Sequence, residues 1–180
     1  MKLSPTFSGL PRFRAGVFFT ALLVVAGLRA ADSPPNIVFI LADDMTFHDI
    51  GPYGSPNMHT PHLDQLASEG LRFDRCYQAT AMCSPTRHNL YTGLYPVRSG
   101  AYPQATWVYP DVQSIAHYLP PLGYDVALIG KRHVLPTTAF PFDYLAEEAE
   151  PDLALVESYL SEKPATPKAV FLCYQEPHTP

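Results

Sequence analysis

Residues 36–44 read NIVFILADD, a β-rich apolar run that ends on two adjacent carboxylates. The apolar part is continuous rather than alternating, which suits a strand covered on both faces. Working outward, residues 124–129 (YDVALI) and 169–174 (AVFLCY) have the same character. Helical patterns lie between these runs. Thr60-Pro61 opens the first, with Thr60 as N-cap and Pro61 at the first helical position; Leu63, Leu66 and Ala67 form its apolar stripe and Gly70 closes it. Ser84-Pro85 repeats that opening and Gly93 that closing. Residues 112–119 predict a third helix, stopped by Pro120-Pro121. Residues 152–160 predict a fourth, with Leu153, Val156 and Leu160 on one face. Strands alternating with helices predict an α/β fold, a mainly parallel sheet flanked by helices.

Composition agrees with an ordinary globular domain. The chain has 180 residues, 47% hydrophobic and 16% charged, with 20 Pro and 3 Cys. That excludes a disordered charged tail, a coiled coil and a collagen-like repeat. Three cysteines are too few for a small disulfide scaffold, and Cys76 and Cys173 are left as either a pair or two thiols. A formal net charge of -5 argues against a nucleic-acid groove.

The charge is uneven. Lys2, Arg12, Arg14 and Arg29 are basic, and residues 1–30 contain no acid. Residues 15–28 (AGVFFTALLVVAGL) are apolar and uncharged, and Ala30 and Ala31 follow. A positive segment, a short apolar run and small residues together predict an export signal over 1–31, with a periplasmic or secreted destination for the rest. The run is shorter than the ~20 residues that span a bilayer, so stable membrane insertion is not expected; an uncleaved anchor is the alternative.

In parallel α/β sheets ligands bind beyond the carboxyl ends of the strands. There the first strand delivers Asp43 and Asp44, the second Gly130-Lys131-Arg132-His133, and the third Glu176-Pro177-His178. Two adjacent carboxylates repel while both are ionised, and a hard divalent cation relieves this; a turn or cap pair is the plainer alternative. Cys83-Ser84-Pro85-Thr86-Arg87 places a cysteine at a helix start, where backbone N–H groups favour anions, with an arginine one turn on. A buried structural cysteine is the alternative there.

Residues 83–93, Cys83-Ser84-Pro85-Thr86-Arg87-His88-Asn89-Leu90-Tyr91-Thr92-Gly93, resemble the signature of the sulfatases, C-x-P-x-R followed by a helix ending in T-G. The resemblance extends to Asp43-Asp44, Thr60-Pro61-His62-Leu63-Asp64, Gly130-Lys131-Arg132-His133 and Pro177-His178-Thr179-Pro180, and covers essentially residues 35–180. It implies an alkaline-phosphatase-like α/β domain and hydrolysis of a sulfate ester, small-molecule or carbohydrate. It implies that a formylglycine-generating or equivalent maturation enzyme oxidises Cys83 to formylglycine, whose hydrate is the nucleophile. Asp43, Asp44 and residue 83 would bind Ca²⁺ ahead of Mg²⁺. Arg87 would steady residue 83, His133 would take a proton, and Lys131 and His178 would hold sulfate oxygens.

Members of that family run well beyond Pro180, and their second half supplies further calcium and sulfate ligands. The resemblance therefore implies a catalytic domain over 35–180 that is incomplete at its C-terminus, with an open sheet edge and exposed apolar surface. A phosphate or phosphonate monoester hydrolase on the same scaffold, or an inactive anion- or glycan-binding module, are the competing functions.

Overall fold

The computed structural model describes residues 34–147, 150–163 and 165–178. They belong to one unit, Pro34–Pro180. The predicted export signal lies outside the described residues, as do Thr179 and Pro180.

Four strands form one sheet: β1 (Ile37–Leu41), β2 (Asp125–Gly130), β3 (Asp143–Leu145) and β4 (Lys168–Cys173), in the order β1-β4-β2-β3. Every pairing is parallel, as the sequence predicts. The register aligns Leu41 and Gly130 with the same residue, Cys173. Three strands thus end in one row, and the segments that follow them leave the sheet at one edge. The three-residue β3 is too short for a sequence signal.

Two apolar clusters show that the sheet is covered on both faces where β2 and β4 run. Val126, Leu128 and Phe171 pack with Tyr91, Phe140 and Phe142. The alternate residues Ala127, Ile129, Val170 and Leu172 pack with Val156 and Tyr159. All six residues of β4 are buried. β1 departs from the expected double cover: among the described strands it pairs only with β4, and Ile40 is 62% exposed. The open edge and exposed apolar side chains anticipated from the sequence are present there.

The helices are α1 (Pro61–Glu69), α2 (Cys83–Thr92), α3 (Pro96–Ser99), α4 (Ile115–Tyr118) and α5 (Leu153–Ser161). Several predicted details differ. Thr60 precedes α1, yet its hydroxyl accepts from the Gly51 N–H at 2.8 Å instead of capping the helix. Leu66 in its stripe is 63% exposed. Helix α2 starts at Cys83 rather than after Ser84, with Met82 as N-cap. Pro85 then sits in the first turn, where its missing N–H removes no intrahelical bond. Gly93 closes α2 in the left-handed conformation, φ 68°, as expected of a terminating glycine. Helix α4 is shorter than residues 112–119; Ser114 caps it and a 3₁₀ turn over Pro120–Leu122 follows. In α5 the Asp152 carboxylate accepts from the Ala154 N–H at 2.9 Å. Its buried side is Val156 and Tyr159, while Leu153 is 68% exposed. No helix among the described residues is long and apolar enough to cross a membrane.

Phe171 meets Phe39, Tyr91 and Phe142 at ring-centroid distances of 5.5, 5.6 and 5.1 Å. Phe171→Ala is expected to lower unfolding free energy by about 3–5 kcal/mol. Leu66→Ser, on exposed surface, should stay within about 0.5 kcal/mol. Denaturant midpoints of the two variants check this.

Candidate active site

The site begins where the strands end. Two residues beyond β1, Asp43 is 4% exposed, and its N–H donates to the Glu176 carbonyl at 3.2 Å. One residue beyond β2, the Lys131 N–H donates to the Cys173 carbonyl at 2.8 Å. The turn into Lys131 needs Gly130 at φ 98°, a conformation that disfavours a Cβ.

Three elements meet on the Asp43 carboxylate. Arg87, from the second turn of α2 and 1% exposed, donates through Nη2 to Oδ1 at 3.2 Å and through Nη1 to the Lys131 carbonyl at 2.8 Å. The Lys131 ammonium pairs with Oδ2. Burial pushes the Asp43 carboxyl up, but the Lys131 hydrogen bond and the Arg87 charge outweigh it and hold the group below its ordinary 3.8. A lone buried carboxylate would be costly; with two cations, each hydrogen-bonded to one of its oxygens, it is compensated. The cluster carries one positive charge in excess, beside the N-terminus of α2, where helix N–H groups also favour anions.

Cys83 is the first residue of α2 and half-buried. Its Sγ lies 3.4 Å from Nδ1 of His133 and accepts from Nε2 of Gln104 at 2.9 Å. A pocket of about 120 Å³ is lined by Asp43, Asp44, Met45, Gln78, Cys83, Thr86 and Arg87, among others. Asp44 is exposed on its rim, with the His178 Nε2 3.7 Å from its Oδ2. Asp44 and His133 both hold positive φ, 56° and 47°. Such conformations are disfavoured outside glycine and collect at functional sites.

The sequence-predicted residues therefore converge. Asp43, Arg87 and Lys131 are joined directly, Cys83 and His133 are in contact, Asp44 shares the pocket, and His178 reaches Asp44. Three differences stand out. Arg87, expected to steady residue 83, donates to Asp43 and to the Lys131 carbonyl. Lys131, expected on a sulfate oxygen, holds Asp43. Among the described residues no three His, Cys, Asp or Glu side chains form a metal-binding cluster, although Asp43, Asp44 and Cys83 line one pocket. Arg132 lies on Glu147 at 2.6 Å and over the Tyr144 ring. Cys76, Cys83 and Cys173 are all free; Cys173 is buried with the Tyr91 hydroxyl 3.2 Å from its sulfur, and burial pushes its thiol up. Gln104 gave no signal in the sequence, being one polar residue in a loop.

The Asp43 shift has a defined pH signature. A carboxyl held low in the folded state stabilises fully above its unfolded value, and that contribution fades as pH falls through the folded value. Asp43→Asn should cost about 3–5 kcal/mol at neutral pH, leaving two buried cations uncompensated. The gap to wild type should shrink as pH drops below 3.8. Denaturant titrations at several pH values, without added divalent cation, measure both.

Comparison with known proteins places this geometry. The sulfatase family model matches residues 35–180. The chain is 40% identical over 114 residues to the ulvan-active sulfatase of Formosa agariphila, covering 63% of this chain and 23% of that protein. It is 42% identical over 121 residues to arylsulfatase A of Homo sapiens, again covering 63% and 23%. The matched stretch thus spans about a quarter of these relatives' length. The solved structure of BT4656 in complex with its substrate D-glucosamine-2-N,6-O-disulfate superposes with a TM-score of 0.69 at 26% identity, over 80% of this chain and 35% of that one. With the family match spanning the whole α/β unit and its signature cysteine and arginine at the start of α2, the chain belongs to the sulfatase family.

Proposed function

We propose that this chain carries the nucleophile-bearing part of a sulfuric ester hydrolase that cleaves a sulfate monoester of a carbohydrate. The observation that carries the reading is the position of residue 83. It is the first residue of α2, in one pocket with Asp43 and Asp44, 3.4 Å from His133 and four residues before the buried Arg87. The carbohydrate class is supported by the ulvan-active relative and by the sulfated glucosamine bound in BT4656.

In this reading a maturation enzyme converts Cys83 to formylglycine, and water adds to the aldehyde to give a gem-diol. His133, at the distance of a proton acceptor, takes a proton from one hydroxyl as it attacks sulfur. As the S–O bond to the sugar breaks, the departing oxygen takes up a proton from solvent and leaves as the alcohol. His133 returns its proton to solvent, and the remaining hydroxyl loses its proton as the C–O bond to the sulfate breaks, re-forming the aldehyde and expelling sulfate. A plain alcohol nucleophile would instead be left sulfated until water attacked it. Lys131, through ammonium N–H donors not used on Asp43, and His178 would hold sulfate oxygens as charge builds on them, and Arg87 fixes the floor of the site through Asp43.

The donor set also suits a hard divalent cation. The Asp43 and Asp44 carboxylates line one pocket with residue 83, which brings hard oxygen donors together. Asp43, Asp44 and an oxygen on residue 83 would hold Ca²⁺, with Mg²⁺ second. When bound, the ion supplies polarisation of the ester oxygens and counter-charge to the nucleophile. Residues 1–31 act as the export signal in the same reading, and 35–180 as the N-terminal part of the catalytic domain.

A peptide mass spectrum across position 83, taken after co-expression with a formylglycine-generating enzyme, tests this. An aldehyde captured by a hydrazide is expected; an intact thiol under conditions that convert a control sulfatase removes the nucleophile and contradicts the reading. In the converted protein His133→Ala should lower kcat about 10²–10⁴-fold, with sulfate monoesters preferred to phosphate monoesters.

A further inference from the structure

Gln104 lies in the loop between α3 and α4, and its side-chain amide donates to Cys83 Sγ at 2.9 Å. The loop is fixed at both ends. Ala101 and Val108 are buried, and the Tyr109 N–H donates to the Ser99 carbonyl at 2.9 Å. Its tip is turned by the Thr106 hydroxyl, which donates to the Pro103 carbonyl at 2.6 Å. The Val108 N–H donates to the Leu135 carbonyl at 3.3 Å, and Leu135 is two residues past His133. The Leu135 N–H in turn donates to Nε2 of His88 on α2 at 3.3 Å. The two loops that touch the sulfur are therefore joined to each other, and one of them is joined to the helix that carries Cys83.

We propose that Gln104 is a positioning residue: its amide and the His133 ring together select the direction in which the reactive group of residue 83 leaves α2. An unrestrained side chain of this kind visits three staggered χ1 wells. Two contacts from separate, mutually tied loops leave one. The amide has a second N–H and a carbonyl oxygen at an exposed position, so the same contact serves a thiol or a hydrated aldehyde. The consequence for turnover rests on the hydrolase reading above; the contact does not.

The test uses the full chain, unconverted at position 83 and labelled at cysteine, with three-bond Hα–Hβ couplings of Cys83 as the readout. Wild type is expected to show a single rotamer. Gln104→Ala and the isosteric Gln104→Glu, which lacks the N–H donor, are expected to show averaged couplings with the remaining amide spectrum unchanged. Wild-type couplings in both variants, or averaged couplings in wild type, overturn the proposal. In the converted protein Gln104→Ala should lower kcat roughly 10- to 100-fold with KM within about twofold, the mark of a misaimed nucleophile rather than lost binding. A thiol that resists conversion would sink the hydrolase reading and leave the coupling result standing.

Discussion

A carboxylate removed from water must be matched by positive charge or it protonates, and Asp43 is matched twice. Arg87 and Lys131 come from a helix and from a strand end, 44 and 88 residues away in sequence. Arg87 also binds the Lys131 carbonyl, so the three residues form a closed set rather than two separate pairs. Either cation alone would leave one Asp43 oxygen without a charged partner. This constraint ties the end of β1, the end of β2 and the first turns of α2 together, and it sets where residue 83 stands.

Everything around that set serves to hold it. The shared register of Leu41, Cys173 and Gly130 brings the three exits of the sheet into line. Helix α2 is buried on almost every side, through Ser84, Pro85, Thr86, Arg87, His88 and Tyr91, so its N-terminus cannot turn without disturbing the core. Tyr91 packs against Phe140, Phe142 and Phe171 below the site. By contrast β1 and α1 keep apolar side chains exposed, Ile40 and Leu66 among them. The reactive end is packed more tightly than the outer edge of the same unit.

Much of this was legible in the sequence because it depends on local chemistry. Continuous apolar runs locate β1, β2 and β4, and the rule that parallel sheets bind ligands at their carboxyl ends points to Asp43, Lys131 and His178. Gly93 terminated α2 for a reason visible in one residue. What failed depends on distant partners. Thr60 looked like a cap, and Gly51 took its hydroxyl; Leu153 looked buried, and Tyr159 filled that face. Lys131 had no readable partner, because the charge it neutralises lies 88 residues away. Gln104 was invisible for the same reason, since no local pattern announces a residue whose role is set by a neighbouring loop.

The central claim, that Asp43 and Arg87 act as one buried unit, is tested most directly by a double-mutant cycle on stability, with Asp43→Asn, Arg87→Met and the double variant. Residues in direct contact within one ion-pair network are expected to couple by about 1–3 kcal/mol, so that the double variant is less destabilised than the sum of the two single variants. A coupling indistinguishable from zero would mean the carboxylate and the guanidinium do not meet in solution, and the site would have to be organised some other way.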